Sequence, residues 1–179
     1  YCALELLEKV EPEQIEELKI ESIRQAFGRW MDLPEIWKPE TRETADHSLP
    51  CTVALALLDG GISPAAHSNE RYKDQDVLDF MGKIKIELPD EFADLAPETR
   101  CCRITATLKN GETIIVEQRR TMADDTNGPS QPEIEGKFNS LTNSLLTDQN
   151  RQQLLDLVWS LDEAPSVENM VNLTQLTRN

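Results

Sequence analysis

The apolar positions of the chain change period along its length, and the changes mark its elements. Leu4, Leu6, Leu7 and Val10 fall at helical spacing and stop at Glu11-Pro12, which predicts a short amphipathic helix. Leu18 and Ile20 then alternate with Glu17, Lys19 and Glu21, and with Ser22 they predict a strand over residues 17–26 whose exposed face carries the charges. Residues 28–43 hold Trp30, Met31, Leu33, Pro34, Ile36, Trp37 and Pro39 without a period. This reads as a packed loop with a single helical turn, its tryptophans covering a core. Thr52 to Leu58 is apolar on every side, too apolar for a surface helix. Residues 48–59 are therefore predicted to be a buried helix, with Ser48 as N-cap, Pro50 in the first turn and Asp59-Gly60-Gly61 as the stop.

Ser63-Pro64-Ala65-Ala66-His67 reads as a turn that leaves His67 in solvent. Asp74 to Met81 is a helix capped by Asp74, with Val77, Leu78, Phe80 and Met81 inward. Lys83 to Leu88 alternates as a half-buried strand, and Pro89 to Thr99 is a loop. Arg103–Leu108 and Thr113–Gln118 form a hairpin turned by Asn110-Gly111, a strong short-range turn signal. A polar linker, Asp124 to Pro129, leads to three helical segments, Pro132–Leu146, Asp148–Leu161 and Ser166–Leu176. The order predicts an α+β class: a two-layer domain whose antiparallel sheet of four strands is packed by helices, followed by C-terminal helices. The expected division is 1–125 and 126–179. No β-α-β run and no G-x-G-x-x-G supports a doubly wound nucleotide fold.

Charge narrows the function. Eighteen Lys and Arg against 33 Asp and Glu leave a net charge of −15, the opposite of a nucleic-acid binder, which needs a basic stripe. An anionic membrane surface repels such a chain, and no apolar run is long enough for a transmembrane helix. No signal peptide is visible. Cys2, Cys51, Cys101 and Cys102 lack metal-ligand spacing, and vicinal Cys101-Cys102 point to opposite faces of a strand. A reduced cytoplasmic or mitochondrial-matrix setting is expected.

The chemistry is concentrated before the buried helix, in Thr41-Arg42-Glu43-Thr44-Ala45-Asp46-His47-Ser48-Leu49-Pro50-Cys51. Consecutive Asp46-His47-Ser48 cannot form a triad, whose members converge in space. A helix N-terminus does offer N–H groups and positive potential to a carboxylate. His47 is placed there as candidate catalytic proton donor. Arg42, Ser48 and Cys51 are candidate substrate-binding residues, Arg42 as a bidentate grip on a second carboxylate. An ordinary capped core helix accounts for the same pattern. In that case His47 makes a structural hydrogen bond, Arg42 an ion pair with Glu40 or Glu43, and Cys51 simply fills space.

The run A-D-H-S-L-P-x-x-V-A-x-A-L-L-D-G-G over residues 45–61 resembles the start of the second domain of the MmgE/PrpD family. So, in order, do Tyr72-Lys73-Asp74-Gln75-Asp76-Val77-Leu78, Lys83-Ile84-Lys85-Ile86, the hairpin from Ile104 to Val116, Gly128-Pro129-Ser130-Gln131-Pro132 and Lys137-Phe138. Each motif is weak, but together they cover Leu4 to Leu173 in the right order. One departure is Cys51, where the family pattern carries an aromatic.

The resemblance implies a lyase, 2-methylcitrate dehydratase-like or cis-aconitate decarboxylase-like, acting on a di- or tricarboxylic acid without metal or organic cofactor. It implies a homodimer with its substrate site at a domain interface. The chain begins at Tyr1 in what reads as a helix already under way. A large helical domain carrying most catalytic Lys, His and Asp residues is therefore expected upstream, and the C-terminal helices are expected to pack on it. The alternative reading is a non-catalytic acidic α+β module that binds a basic protein. The charge, as above, argues against a nucleic-acid or membrane partner.

Overall fold

The computed structural model describes residues 1–23, 33–93, 95, 98–121 and 128–175, apart from the side chains of Ala65 and His67. The expectations for Trp30, Met31, residues 24–26, His67 in solvent, the linker at 124–127 and Leu176 lie outside these residues. Chain contacts divide the protein into two units, Tyr1–Thr126 and Asn127–Asn179.

In the first unit, α1 (Cys2–Leu7) leads into β1 (Ile15–Ser22). The short helices α2 (Pro34–Trp37), α3 (Arg42–Asp46), α4 (Leu49–Leu58), α5 (Pro64–Ser68) and α6 (Gln75–Met81) follow. Next come β2 (Ile84–Glu87), the turn-long α7 (Asp90–Ala93), β3 (Thr99–Leu108) and β4 (Thr113–Thr121). The sheet order is β2-β1-β3-β4. β3 pairs antiparallel with both β1 and β4, as a sheet built on the 110–111 hairpin requires. Gly111 at φ +87 takes the left-handed position of that turn.

β2 departs from the expected antiparallel sheet. It runs parallel to β1, Leu18 opposite Ile84 and Ile20 opposite Ile86. Parallel neighbours need a long covered crossover, and α2 to α6 supply it. Two segments read as irregular carry helix instead: Pro64 opens α5, with Ala66 N–H bonded to the Ser63 hydroxyl (3.3 Å), and α7 interrupts the loop after Pro89.

The main core lies on one sheet face. Leu18 and Ile20 of β1, Ile104 and Ala106 of β3 and Val116 of β4 pack with Leu6, with Leu55 of α4 and with Val77 and Met81 of α6. Trp37 is half-buried against this core. α4 is covered on almost every side, which is why its sequence has no polar stripe. The face expected to be open is also partly covered. Phe92 of α7 is 0% exposed and packs with Ile23 and Cys101. The Arg103 guanidinium lies 4.9 Å from the Phe92 ring and bonds Glu91 and Glu117, each at 2.6 Å. Glu21, expected in solvent, is buried beneath this group and pairs with Lys19 at 3.2 Å.

The second unit contains α8 (Gln131–Thr142), α9 (Asp148–Trp159) and α10 (Glu168–Leu173). Leu154 is buried within it, whereas Leu141, Leu145, Val158, Trp159 and Leu161 are all more than 40% exposed. Among the described residues no helix is long and apolar enough to cross a membrane.

Candidate functional site

The residues expected to carry chemistry lie where α3 meets α4, and the local sequence explains the junction. Thr41 caps α3 by accepting the Thr44 N–H (3.2 Å), and Thr44 Oγ1 accepts the Thr41 N–H in return (3.1 Å). His47 closes α3, and the next residue, Ser48, is already the N-cap of α4. A cap-to-cap junction of this kind sends neighbouring side chains to opposite environments. The Ser48 hydroxyl accepts the Cys51 N–H (3.1 Å), donates to the Ile36 carbonyl and is 0% exposed. His47 faces outward, its side chain 68% exposed and its Nε2 3.1 Å from Glu43 Oε1.

This geometry corrects three expectations. First, α4 does not present a row of free amides. Pro50 has no N–H, Cys51 donates to the Ser48 side chain and Thr52 to the Ser48 carbonyl (2.9 Å). Second, Ser48 and Cys51 are both 0% exposed, so a ligand on the surface of this unit reaches neither. Burial, and after it the Asp46 carboxylate, push the Cys51 thiol up to about 11, against a thiolate role. Third, Arg42 pairs with Asp46 at 3.6 Å rather than with Glu40 or Glu43. Five positions apart on one short helix, Arg42 and His47 point about 140° from each other, so they do not grip one small ligand by themselves.

His47 lines a cleft of about 390 Å³ with Leu33, Glu35, Ile36, Glu43 and Thr44. Leu33 and Ile36 are its apolar wall, Glu35 and Glu43 its acidic groups, and among the described residues that line it His47 is the one basic side chain. The arrangement suits proton transfer better than it suits holding a polyanion.

A second concavity, of about 650 Å³, opens where β3 starts and β4 ends. Arg100, Arg119 and Arg120 line it together with Ser22, Cys102 and Gln118. Arg119 Nε bonds Glu117 at 2.8 Å. The Cys2 thiol donates to the Cys102 carbonyl at 3.3 Å. Interaction with the Cys102 side chain draws Cys2 down to about 7, while the same contact and burial push Cys102 up. Arg100 carries no signal of its own in the sequence. Counting seven pairs outward from Thr107 and Thr113 brings Arg100 opposite Arg120, a signal available once the hairpin turn is fixed.

A third ionic cluster joins two of the motifs described above. Arg71 bonds Asp59 (3.0 Å), Asp74 (3.1 Å) and Asp76 (2.6 Å). Asp74 stands at the N-cap of α6, but its carboxylate is turned to Arg71 instead of the helix amides.

The sequence model of the MmgE/PrpD C-terminal domain matches residues 2–161. Cis-aconitate decarboxylase of Mus musculus is 30% identical over 144 residues, which are 78% of this chain and 28% of that protein. Cis-aconitate decarboxylase of Homo sapiens is 29% identical over 129 residues, 70% of this chain and 26% of that protein. The chain thus spans about a quarter of the length of these relatives.

Proposed function

The chain belongs to the MmgE/PrpD family, and we propose that it is the smaller domain of a lyase that removes carbon dioxide or water from a tricarboxylic acid. The observation that carries the reading is the family match across residues 2–161, with relatives named for decarboxylation of cis-aconitate. Cis-aconitate is therefore the first substrate to test and 2-methylcitrate the second.

In this reading the domain contributes one wall of a substrate site at a domain interface. His47 supports it by position: it is accessible, it lines a cleft and it is held by Glu43. When a proton is lost or a carboxylate leaves next to another carboxylate, negative charge builds up on the substrate, and a positioned imidazolium stabilises or protonates it. Ser48 and Cys51 act indirectly, by fixing α4 and with it the direction of His47. Arg42 holds a carboxylate remote from the reacting carbon once the interface closes. The abstracting base and the remaining site residues belong to a helical domain outside this chain, and the protein works as a homodimer. The exposed apolar side chains of α8 and α9 support packing of these helices on that domain, since patches of this kind mark interaction surfaces.

The test is turnover of cis-aconitate and 2-methylcitrate by the full-length protein and by the 179-residue chain alone. The expected result is product from the full-length protein only. Failure of the full-length protein on both acids overturns the reading, and saturable capture of a basic protein in its place supports an interaction module.

A further inference from the structure

We propose that Cys2 and Cys102 form a peroxide-sensitive thiol pair, converted on oxidation into a disulfide that fastens α1 to β3.

The fold brings the pair together from distant parts of the sequence. Consecutive strand residues point to opposite faces, so Cys101 lies with Phe92 and Ile23 on the outer face while Cys102 packs against the main core. α1 covers that same inner face, and its first residue, Cys2, belongs to the main core. The Cys2 thiol donates to the Cys102 carbonyl at 3.3 Å, across 100 positions of sequence. The two thiols are also hydrogen-bond partners of each other. Cys51 is sealed within α4 at 0% exposure, and Cys101 is 1% exposed.

The two sulfurs differ in a way that divides the work. Contact with the Cys102 thiol draws Cys2 down to about 7, and the same contact pushes Cys102 up. Near neutral pH Cys2 therefore supplies the thiolate, which is the nucleophile, and Cys102 keeps its proton. A low-pKa cysteine beside a second thiol is the arrangement of a redox-sensitive cysteine and its resolving partner. Cys2 and Cys102 both line the concavity of about 650 Å³ where β3 starts and β4 ends, which gives a molecule as small as hydrogen peroxide a route to them. Cys101 borders the same cavity, so the test has to tell it from Cys102.

The chemistry closes with peroxide as the oxidant. The Cys2 thiolate attacks one peroxide oxygen, the O–O bond breaks and hydroxide leaves, which turns Cys2 into a sulfenic acid. The Cys102 sulfur then displaces the hydroxyl from the Cys2 sulfur. The Cys102 proton departs with that oxygen as water, and the S–S bond forms. The two sulfurs together lose two electrons, and the peroxide is reduced to one hydroxide and one water. The link joins residues 100 positions apart, so it restricts the unfolded chain and raises resistance to urea. A thiol reductant reverses it by exchange.

The experiment exposes the reduced full-length protein briefly to hydrogen peroxide near neutral pH, alkylates the remaining thiols and maps tryptic peptides by tandem mass spectrometry, alongside urea melts. The expected product is the Cys2 peptide joined through Cys102 to the tripeptide Cys101-Cys102-Arg103. It should form at least about tenfold faster than Cys51 is oxidised, raise the urea midpoint, and disappear with dithiothreitol together with that rise. Cys101→Ser is expected to keep the link. Cys102→Ser is expected to lose it and to leave Cys2 as a sulfenic acid that dimedone traps. The same dose of peroxide given in unfolding urea is expected to yield far less of the link. Fragmentation between Cys101 and Cys102 decides which sulfur is joined in the unmodified protein, whether or not the variants fold. Cys2 and Cys102 both recovered alkylated, a link from Cys2 to Cys101 or Cys51 in its place, or an equal yield from the unfolded chain overturns the pair.

Discussion

Arg71 clasps Asp76 through two parallel bonds, Nη1 to Oδ1 at 2.6 Å and Nη2 to Oδ2 at 2.7 Å. The same guanidinium reaches Asp59 at the end of α4, so it ties the exit of the buried helix to the entry of α6. The paired bonds to Arg71 hold the Asp76 carboxyl below its ordinary value of 3.8. A carboxylate with a lower pKa folded than unfolded adds stability that is present above the unfolded value and disappears as pH falls through the folded one. Urea midpoints are therefore expected to drop below about pH 4, and Arg71→Met is expected to start lower and to drop less. The Asp76 side chain is 58% exposed, so the difference will be modest. A pH-independent gap between the two proteins would contradict the assignment.

Ser48 caps α4 and also ties it to the Ile36 carbonyl, with no exposed surface. Ser48→Ala is expected to lower unfolding free energy by about 1–2 kcal/mol, the usual cost of a lost cap with a buried acceptor left unpaired. Leu55→Ala in the same helix, which opens a cavity, is expected to cost more, about 2–5 kcal/mol. Denaturant melts of the two variants check the ranking, and an unaffected Ser48→Ala would mean that the cap contributes nothing.

The four cysteines are free thiols in unlike surroundings. Cys2 is drawn down to about 7 through its contact with Cys102, whereas burial raises Cys51 to about 11. Brief alkylation near neutral pH followed by peptide mass spectrometry is expected to label Cys2 before Cys51, because the thiolate is the reacting form. Faster labelling of Cys51 would show that α4 opens readily at its N-terminus.

Arg42 is 71% exposed at its side chain and shares only a 3.6 Å pair with Asp46. Arg42→Ala is expected to leave stability within about 1 kcal/mol. In the full-length protein the proposed grip on a spectator carboxylate is uniform binding, so Arg42→Ala should raise KM about tenfold or more with little change in kcat. A lower kcat at unchanged KM would instead place Arg42 in the chemical step.

Local signals located much of the fold. The Ser48 cap, the Pro50 first turn and the left-handed Gly111 of the hairpin lie where their backbone chemistry puts them. What was not legible depends on partners distant in sequence. Alternation in Lys83–Leu88 shows that one face is buried, but it says nothing of which neighbour β2 takes, and that neighbour is β1 in parallel. Glu21 was read as exposed from its place opposite Leu18 and Ile20. It is buried, and Arg103, 82 residues away in sequence, lies 3.9 Å from its carboxylate. At the candidate site the sequence located the start of α4 but neither α3 before it nor the directions of the side chains where the two helices meet. Adjacent His47 and Ser48 take opposite environments, because one ends a helix and the other begins the next.

The central proposal is that this domain lends its His47 to a lyase site, and steady-state kinetics of the full-length protein carrying His47→Ala test it most directly. Because His47 is exposed and, among the described residues, its side chain bonds exposed Glu43, the variant is expected to melt within a degree or two of the parent, the shift of a change well under 1 kcal/mol. Its kcat on cis-aconitate should fall by about 10²–10⁴, the usual loss with a positioned proton donor. A kcat within about twofold of the parent, far short of that loss, with unchanged melting, would contradict the account and leave His47 a surface partner of Glu43.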